Sequence, residues 1–200
     1  MKEQVFVALA VMALATSLLS GPAMKRLLYR KRKEDVVALL RSGAFVPDLA
    51  ARTPTAVIDE LISALRLRLG DAADRARVAV VERELMASTG LGDEVAIPHA
   101  AVEGIERPVL ALGRSHAGID FDAPDGRPAR IVFVLLMPPK AYEQEVRVLA
   151  SIARSIFDER ARTELLAAKD FEEALAVLGT NARRIEDASH GPHAASLADL

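Results

Sequence analysis

The chain has 200 residues, 51% of them hydrophobic, with six Phe, two Tyr and no Trp, so its core is built from Ala, Val, Leu and Ile. The absence of cysteine excludes disulfides, thiol catalysis and Cys-based zinc sites. A formal charge of -2 gives no case for nucleic acid as a partner.

Gln4 to Met24 carries no charge, and Val5 to Leu19 is apolar apart from Thr16 and Ser17. A run of about 20 apolar residues spans a bilayer core. A basic cluster directly after such a span stays on the cytoplasmic side, and here Lys25, Arg26, Arg30, Lys31, Arg32 and Lys33 follow it. Residues 1–30 are therefore expected to form a single-pass helix in the inner or plasma membrane, with the rest of the chain cytoplasmic. A cleaved signal peptide is the alternative, although its charges should precede the apolar run. A buried helix is a third reading, although no polar face appears at helical period. The stretch Met12–Tyr29 resembles the final transmembrane helix of monovalent cation:proton antiporters. Residues 31–43, helix-like from Glu34 to Leu40, read as a linker or short helix.

Ala44–Leu49 is short and apolar, and Pro47 assigns it to a sheet edge. Thr53 and Pro54 are an N-cap and a first helical residue. Val57, Leu61, Ile62, Leu65 and Leu69 form one face of that helix before Gly70. A second helix from Asp74 is expected to turn Val78, Val81 and Leu85 inward and to stop at Gly90. Strands follow at Val95–Ile97, with His99 at or near the end, and at Pro108–Gly113. Pro124, Asp125 and Gly126 then make a turn. Arg130–Met137 is apolar on both faces, which marks a central strand.

The last third is helical. Val146, Leu149, Ala150, Ala153, Ile156 and Phe157 are expected on one buried face, Asp158 caps a helix through Ala168, and Asp170 with Glu173 opens a short helix to Leu178. Residues 179–200, including His190 and His193, read as a loose solvated tail. The fold class is α+β: three layers, α/β/α, around a small mixed sheet in the order β-α-α-β-β-β-α-α-α, preceded by the transmembrane helix.

His99 is the candidate for chemistry. A lone histidine at a strand end is more often structural, but imidazole is a nucleophile that needs no strong base near neutral pH. The preceding stretch with Thr89, Gly90 and Gly92 lets backbone N–H groups approach a phosphate. Arg83, on the helix before it, can hold phosphoryl oxygens by paired hydrogen bonds; by local sequence alone it reads as a salt bridge with Glu82 or Glu84. His116 reads as a loop residue.

The pattern Arg83-Glu84-(four residues)-Thr89-Gly90-Leu91-Gly92-(three residues)-Ala96-Ile97-Pro98-His99 resembles the enzyme IIA domain of the fructose/mannitol class of the bacterial phosphoenolpyruvate:sugar phosphotransferase system. The likeness runs on through Val102–Gly113, Ile119–Phe121, Asp125-Gly126, Val132–Leu136, Leu149-Ala150 and Ala167–Leu175. It marks residues 44–178 as the domain. It implies that His99 accepts a phosphoryl group from the phosphocarrier protein HPr or a paralogue, with Arg83 steadying the phosphate, and passes it to a IIB domain or uses it as a signal. No metal or bound cofactor is implied. One departure stands out: where many members carry a second histidine, counting from Pro138 gives Glu145. A carboxylate there repels a phosphohistidine, turns to solvent, or hydrogen-bonds His99.

The function expected is a membrane-tethered phosphoryl acceptor that regulates an attached cation:proton antiporter module. The alternatives are a non-catalytic interaction or ligand-sensing module on the same fold, and a sugar-specific carrier in a transport phosphorelay.

Overall fold

The computed structural model describes residues 35–189. The expected helix over 1–30, the start of the linker, and the end of the tail with His190 and His193 lie outside the described residues. Among the described residues no helix is long and apolar enough to cross a membrane.

The chain enters through helix α1 (Val36–Arg41), capped by Asp35, whose side chain accepts from the Val37 amide. The short-helix reading of this segment is the one found, with Val36 and Leu40 fully buried in the core. Strand β1 (Ala44–Val46) follows and ends where Pro47 removes a donor. Helix α2 (Pro54–Ala64) begins as expected: Thr53 accepts from the Ala56 amide at 3.4 Å, with Pro54 in the first turn. A single short turn, α3 (Arg66–Leu69), ends at Gly70, whose φ of +50° suits glycine. Helix α4 (Ala72–Met86) leads to β2 (Gly90–Gly92), β3 (Val95–Ala96) and β4 (His99–Ala101). The long hairpin of β5 (Val109–Ile119) and β6 (Ala129–Met137) precedes α5 (Tyr142–Ser155), α6 (Glu159–Ala167) and α7 (Phe171–Ser189).

The six strands found among the described residues form one mixed sheet, ordered β1-β5-β6-β3-β2, with β4 also on β6. β1 is parallel to β5, β5 and β6 are antiparallel, and β3 and β4 both run parallel to β6. The edge position of β1 and the central position of β6 match their sequences. Along β6, Val132, Val134 and Leu136 enter one core with α2 and α4, while Ile131, Phe133, Leu135 and Met137 enter the other with α1, α5, α6 and α7. Apolarity on both sides is thus the direct cause of the central position, each such side chain contributing about 1.5–3 kcal/mol on burial.

Two helix faces differ from the periodicity reading. On α4 the buried residues are Ala72, Ala73, Ala76 and Val80, whereas Val78 and Leu85 are exposed and Val81 is half-buried. Small residues let α4 approach α2 and β4 closely, and that advantage outweighs burying the larger side chains. On α5 the buried face is Val148, Ser151, Ile152 and Ser155. Val146, Ala153 and Phe157 are exposed, and Leu149 and Ala150 half-buried. Ser155 remains satisfied inside because its hydroxyl donates to Ile152 O at 2.7 Å.

Two further differences concern glycine. The Gly90–Gly92 stretch is a strand rather than an open loop, and α4 already ends at Met86. Helix α7 does not stop at Gly179 but continues to Ser189. A Cβ at Gly179 would come within 3.3 Å of the Val37 side chain, so this glycine serves the approach of α1. The caps of the last helices are as expected, with Asp158 accepting from the Ala161 amide at 2.6 Å and Asp170 from the Glu173 amide at 2.9 Å.

Candidate functional site

β3 and β4 lie end to end along β6, broken by Ile97 and Pro98. The break is built by hydrogen bonding. Ile97 N turns to Thr89 O at 3.1 Å, Pro98 has no N–H to give, and Pro98 O accepts from Leu135 N at 2.9 Å. His99 therefore opens β4 in register with Leu135 of the central strand.

Its ring is oriented by its own backbone. His99 Nδ1 lies 2.7 Å from Ile97 O. A carbonyl only accepts, so the bonded Nδ1 is the donor and Nε2 is left to act as nucleophile. Nε2 faces Glu145, whose Oε1 is 3.7 Å away; the two side chains are 20% and 22% exposed. This meeting follows from topology. β6 ends beside β4, with Met137 opposite Ala101, and Pro138, Pro139 and Lys140 then turn the chain straight into α5. Glu145 falls in the first turn of α5, its amide bonded to Ala141 O at 2.9 Å.

The other sequence-predicted residues have different partners. Arg83 sits in the last turn of α4, half-buried, and donates to Ala87 O at 2.9 Å. Neither Glu82 nor Glu84 pairs with it among the described residues. Thr89 is buried and held by Glu84, which accepts from its amide at 3.1 Å and from its hydroxyl. A Cβ at Gly90 would stand 2.7 Å from Phe121 O, and Gly92, at φ +90°, would press on the Asp125 carboxylate at 3.1 Å. Thr89, Gly90 and Gly92 thus shape the β2–β3 hairpin that places Ile97 and His99. His116 is exposed on β5, not in a loop.

Sequence reasoning missed the hold of Glu84 on Thr89, and the acidic hairpin. Asp93 and Glu94 both have positive φ, at 52° and 67°. Asp125 accepts from Asp93 N at 2.7 Å and from Arg127 N at 3.0 Å. These bonds, first the one from Asp93 and then that from Arg127, hold its carboxyl below the usual carboxylate range. Asp125-Gly126 was legible as a turn, but nothing local showed that it caps another turn 32 residues away. Among the described residues no three His, Asp or Glu side chains come together as a metal site.

The arrangement is a single imidazole, fixed through one nitrogen, with the other nitrogen at the surface beside a carboxylate. It is suited to taking a group onto Nε2. The family model of the phosphoenolpyruvate-dependent sugar phosphotransferase system, EIIA 2, matches residues 38–180. The fructose-specific EIIA component of Haloferax volcanii is 39% identical over 108 residues, 54% of this chain and 70% of that protein. A nitrogen regulatory protein of Pseudomonas aeruginosa is 39% identical over 93 residues, 46% of this chain and 60% of that one. The crystal structure of nitrogen regulatory protein IIA-Ntr from Neisseria meningitidis matches with a TM-score of 0.65 at 28% identity, covering 72% of this chain and 98% of that one.

Proposed function

We propose, from the premise that the chain belongs to the EIIA 2 family of the phosphoenolpyruvate-dependent sugar phosphotransferase system, that it is a phosphoryl acceptor charged on His99 by HPr or a paralogue and used as a regulatory signal. The observation that carries this reading is the Nδ1–Ile97 O hydrogen bond, which leaves Nε2 free to attack phosphorus. In the transfer, the Nε2 lone pair forms a P–N bond as the donor's own P–N bond breaks and its electron pair returns to the donor imidazole. Phosphoryl transfer is mainly positioning and charge stabilisation, and Arg83, whose Ala87 bond can be exchanged for a phosphoryl oxygen, is the cation assigned to the second role. The similarity to the Pseudomonas nitrogen regulatory protein supports a regulatory use.

A second reading, a sugar-specific carrier passing the group to a IIB domain, is favoured by the name of the Haloferax relative. A third, a silent interaction module, is favoured by Glu145 beside the acceptor nitrogen. Membrane tethering and regulation of a cation:proton antiporter extend the first reading; they rest on Val5–Leu19 and the basic residues after it. Incubation with phosphoenolpyruvate, enzyme I and HPr tests the common core of the first two readings. Wild type takes label and His99→Ala does not. A protein that binds HPr without taking label would be the silent module.

A further inference from the structure

The 3.7 Å separation of Glu145 Oε1 from His99 Nε2 poses a problem that the proposed transfer has to solve. Because the ring keeps its Nδ1 proton and so becomes cationic, transfer to Nε2 adds one net negative charge, carried outward on the phosphoryl oxygens and toward a carboxylate that is only 22% exposed. Like charges this close, on groups so little exposed to water, repel strongly. The ring poses a second problem. Because Nδ1 keeps its proton on Ile97 O, an imidazolium must lose the Nε2 proton before that nitrogen can attack. The carboxylate facing Nε2 is Glu145.

Both problems have one solution. We propose that phosphorylation of His99 is linked to protonation of Glu145: the carboxylate takes the Nε2 proton as phosphorus arrives and keeps it while the phosphohistidine exists. This rests on the phosphoryl-acceptor reading above. Starting from the imidazolium–carboxylate pair, the P–N bond of the donor breaks, a P–Nε2 bond forms, and the Nε2 proton moves to Glu145 Oε1. The neutral carboxylic acid no longer repels the phosphoryl group and offers it an O–H donor. No proton is released. Starting from the neutral ring, Glu145 takes one proton from water. Where the ring starts neutral, the acceptor therefore becomes a poorer one as pH rises, which makes the phosphorylated fraction a reporter of pH.

Other charged groups on the elements packed around this pair have partners of their own or are exposed, apart from the half-buried Arg154 and Arg147 Nε, which is buried without a hydrogen-bond partner. On α5, Arg147 pairs with Glu143 and the Tyr142 phenol is exposed. On α4, Arg75 donates to Glu103 O, Arg83 to Ala87 O, Glu84 holds Thr89, and Glu82 is exposed. On α7, Glu172 pairs with Arg41 and Arg184 with Asp158. Lys140, in the turn before α5, is exposed. The β6 stretch opposite β4, Leu135–Met137, has no titratable side chain.

The test equilibrates the full chain with phosphorylated HPr between about pH 6 and pH 9, around the range where imidazole titrates, and reads the phosphorylated fraction by intact mass. Wild type is compared with Glu145→Gln and Glu145→Asp. The donor's own proton linkage is common to all three and cancels in the ratio, which leaves the proton linkage of the phosphohistidine–Glu145 pair. The transfer constant of wild type over that of Glu145→Gln is expected to fall about tenfold per pH unit as pH rises, the slope of one linked proton. Glu145→Asp should follow wild type. A ratio that stays flat overturns the proposal, since the carboxylate then swings away or plays no part. Absence of label on wild type and variants alike overturns the phosphoryl-acceptor reading itself.

Discussion

His99 Nδ1 and Ile97 O are 2.7 Å apart, a contact between residues two apart in sequence that settles which ring nitrogen is free. The peptide between them turns because Pro98 cannot donate and Ile97 N is bound to Thr89 O. The phosphohistidine should accordingly be the Nε2 isomer. Nitrogen–phosphorus coupling in the NMR spectrum of the 15N-labelled, phosphorylated protein distinguishes the two isomers. Phosphorus on Nδ1 would mean that the bond to Ile97 O is broken in the reacting state.

Arg83 closes the last turn of α4 through Ala87 O. Arg83→Ala should lose about 0.5–1.5 kcal/mol of stability, the value of one ordinary hydrogen bond. It should keep its fold by circular dichroism and be labelled by phosphorylated HPr at least tenfold more slowly. Unchanged labelling kinetics would remove the arginine from the site and leave it a helix-end residue.

Arg114 is a structural counterpart to the site residues. It is buried on β5 and donates to Pro47 O, Leu165 O, Leu166 O and Ala168 O, joining the edge-strand loop to the end of α6. Its guanidinium carbon also lies 5.2 Å from the centre of the Phe45 ring. Burial pulls its pKa down from the usual arginine value, opposed by Asp48 and Glu173. Arg114→Met should cost about 2–4 kcal/mol, because the carbonyls left behind lose charged donors. Arg114→Lys should rescue little of it, since an ammonium lacks the fork that reaches both segments. Urea unfolding measures both variants.

Asp125 gives the fold a defined acid sensitivity. Its pKa is lowered chiefly by the amides of Asp93 and Arg127. Between the depressed folded value and the ordinary carboxylate value the unfolded chain binds more protons, so stability rises with pH across that window. The contribution is fully present above the ordinary carboxylate range and is lost as pH falls through the folded value. Asp125→Asn should remove this part of the pH dependence and nothing at neutral pH beyond the lost charge-assisted bonds. Thermal melts from about pH 2 to pH 7 compare the two; parallel curves would show that the carboxylate does not cap the hairpin in solution.

Legibility in the sequence follows the physics of each element. β6 could be read because both its faces are apolar, and Thr53, Asp158 and Asp170 because a capping side chain acts within three residues. The inner faces of α4 and α5 were not readable from large apolar residues, because alanines and serines line them. The Gly90–Gly92 strand reads as a loop because its glycines are required by Phe121 O and Asp125, about 30 residues away. At the site, His99 stands out by its motif and Glu145 by replacing an expected histidine. The Ile97 carbonyl, a backbone atom, leaves no mark in sequence, although it decides which ring nitrogen is free.

The central claim is that His99 carries phosphorus. The direct measurement is the intact mass of the full chain after incubation with phosphoenolpyruvate, enzyme I and HPr, followed by peptide mapping under alkaline conditions that preserve phosphohistidine. One phosphoryl group on the peptide containing His99, absent from His99→Ala, is the predicted result. An unchanged mass, or label that persists in His99→Ala, contradicts it.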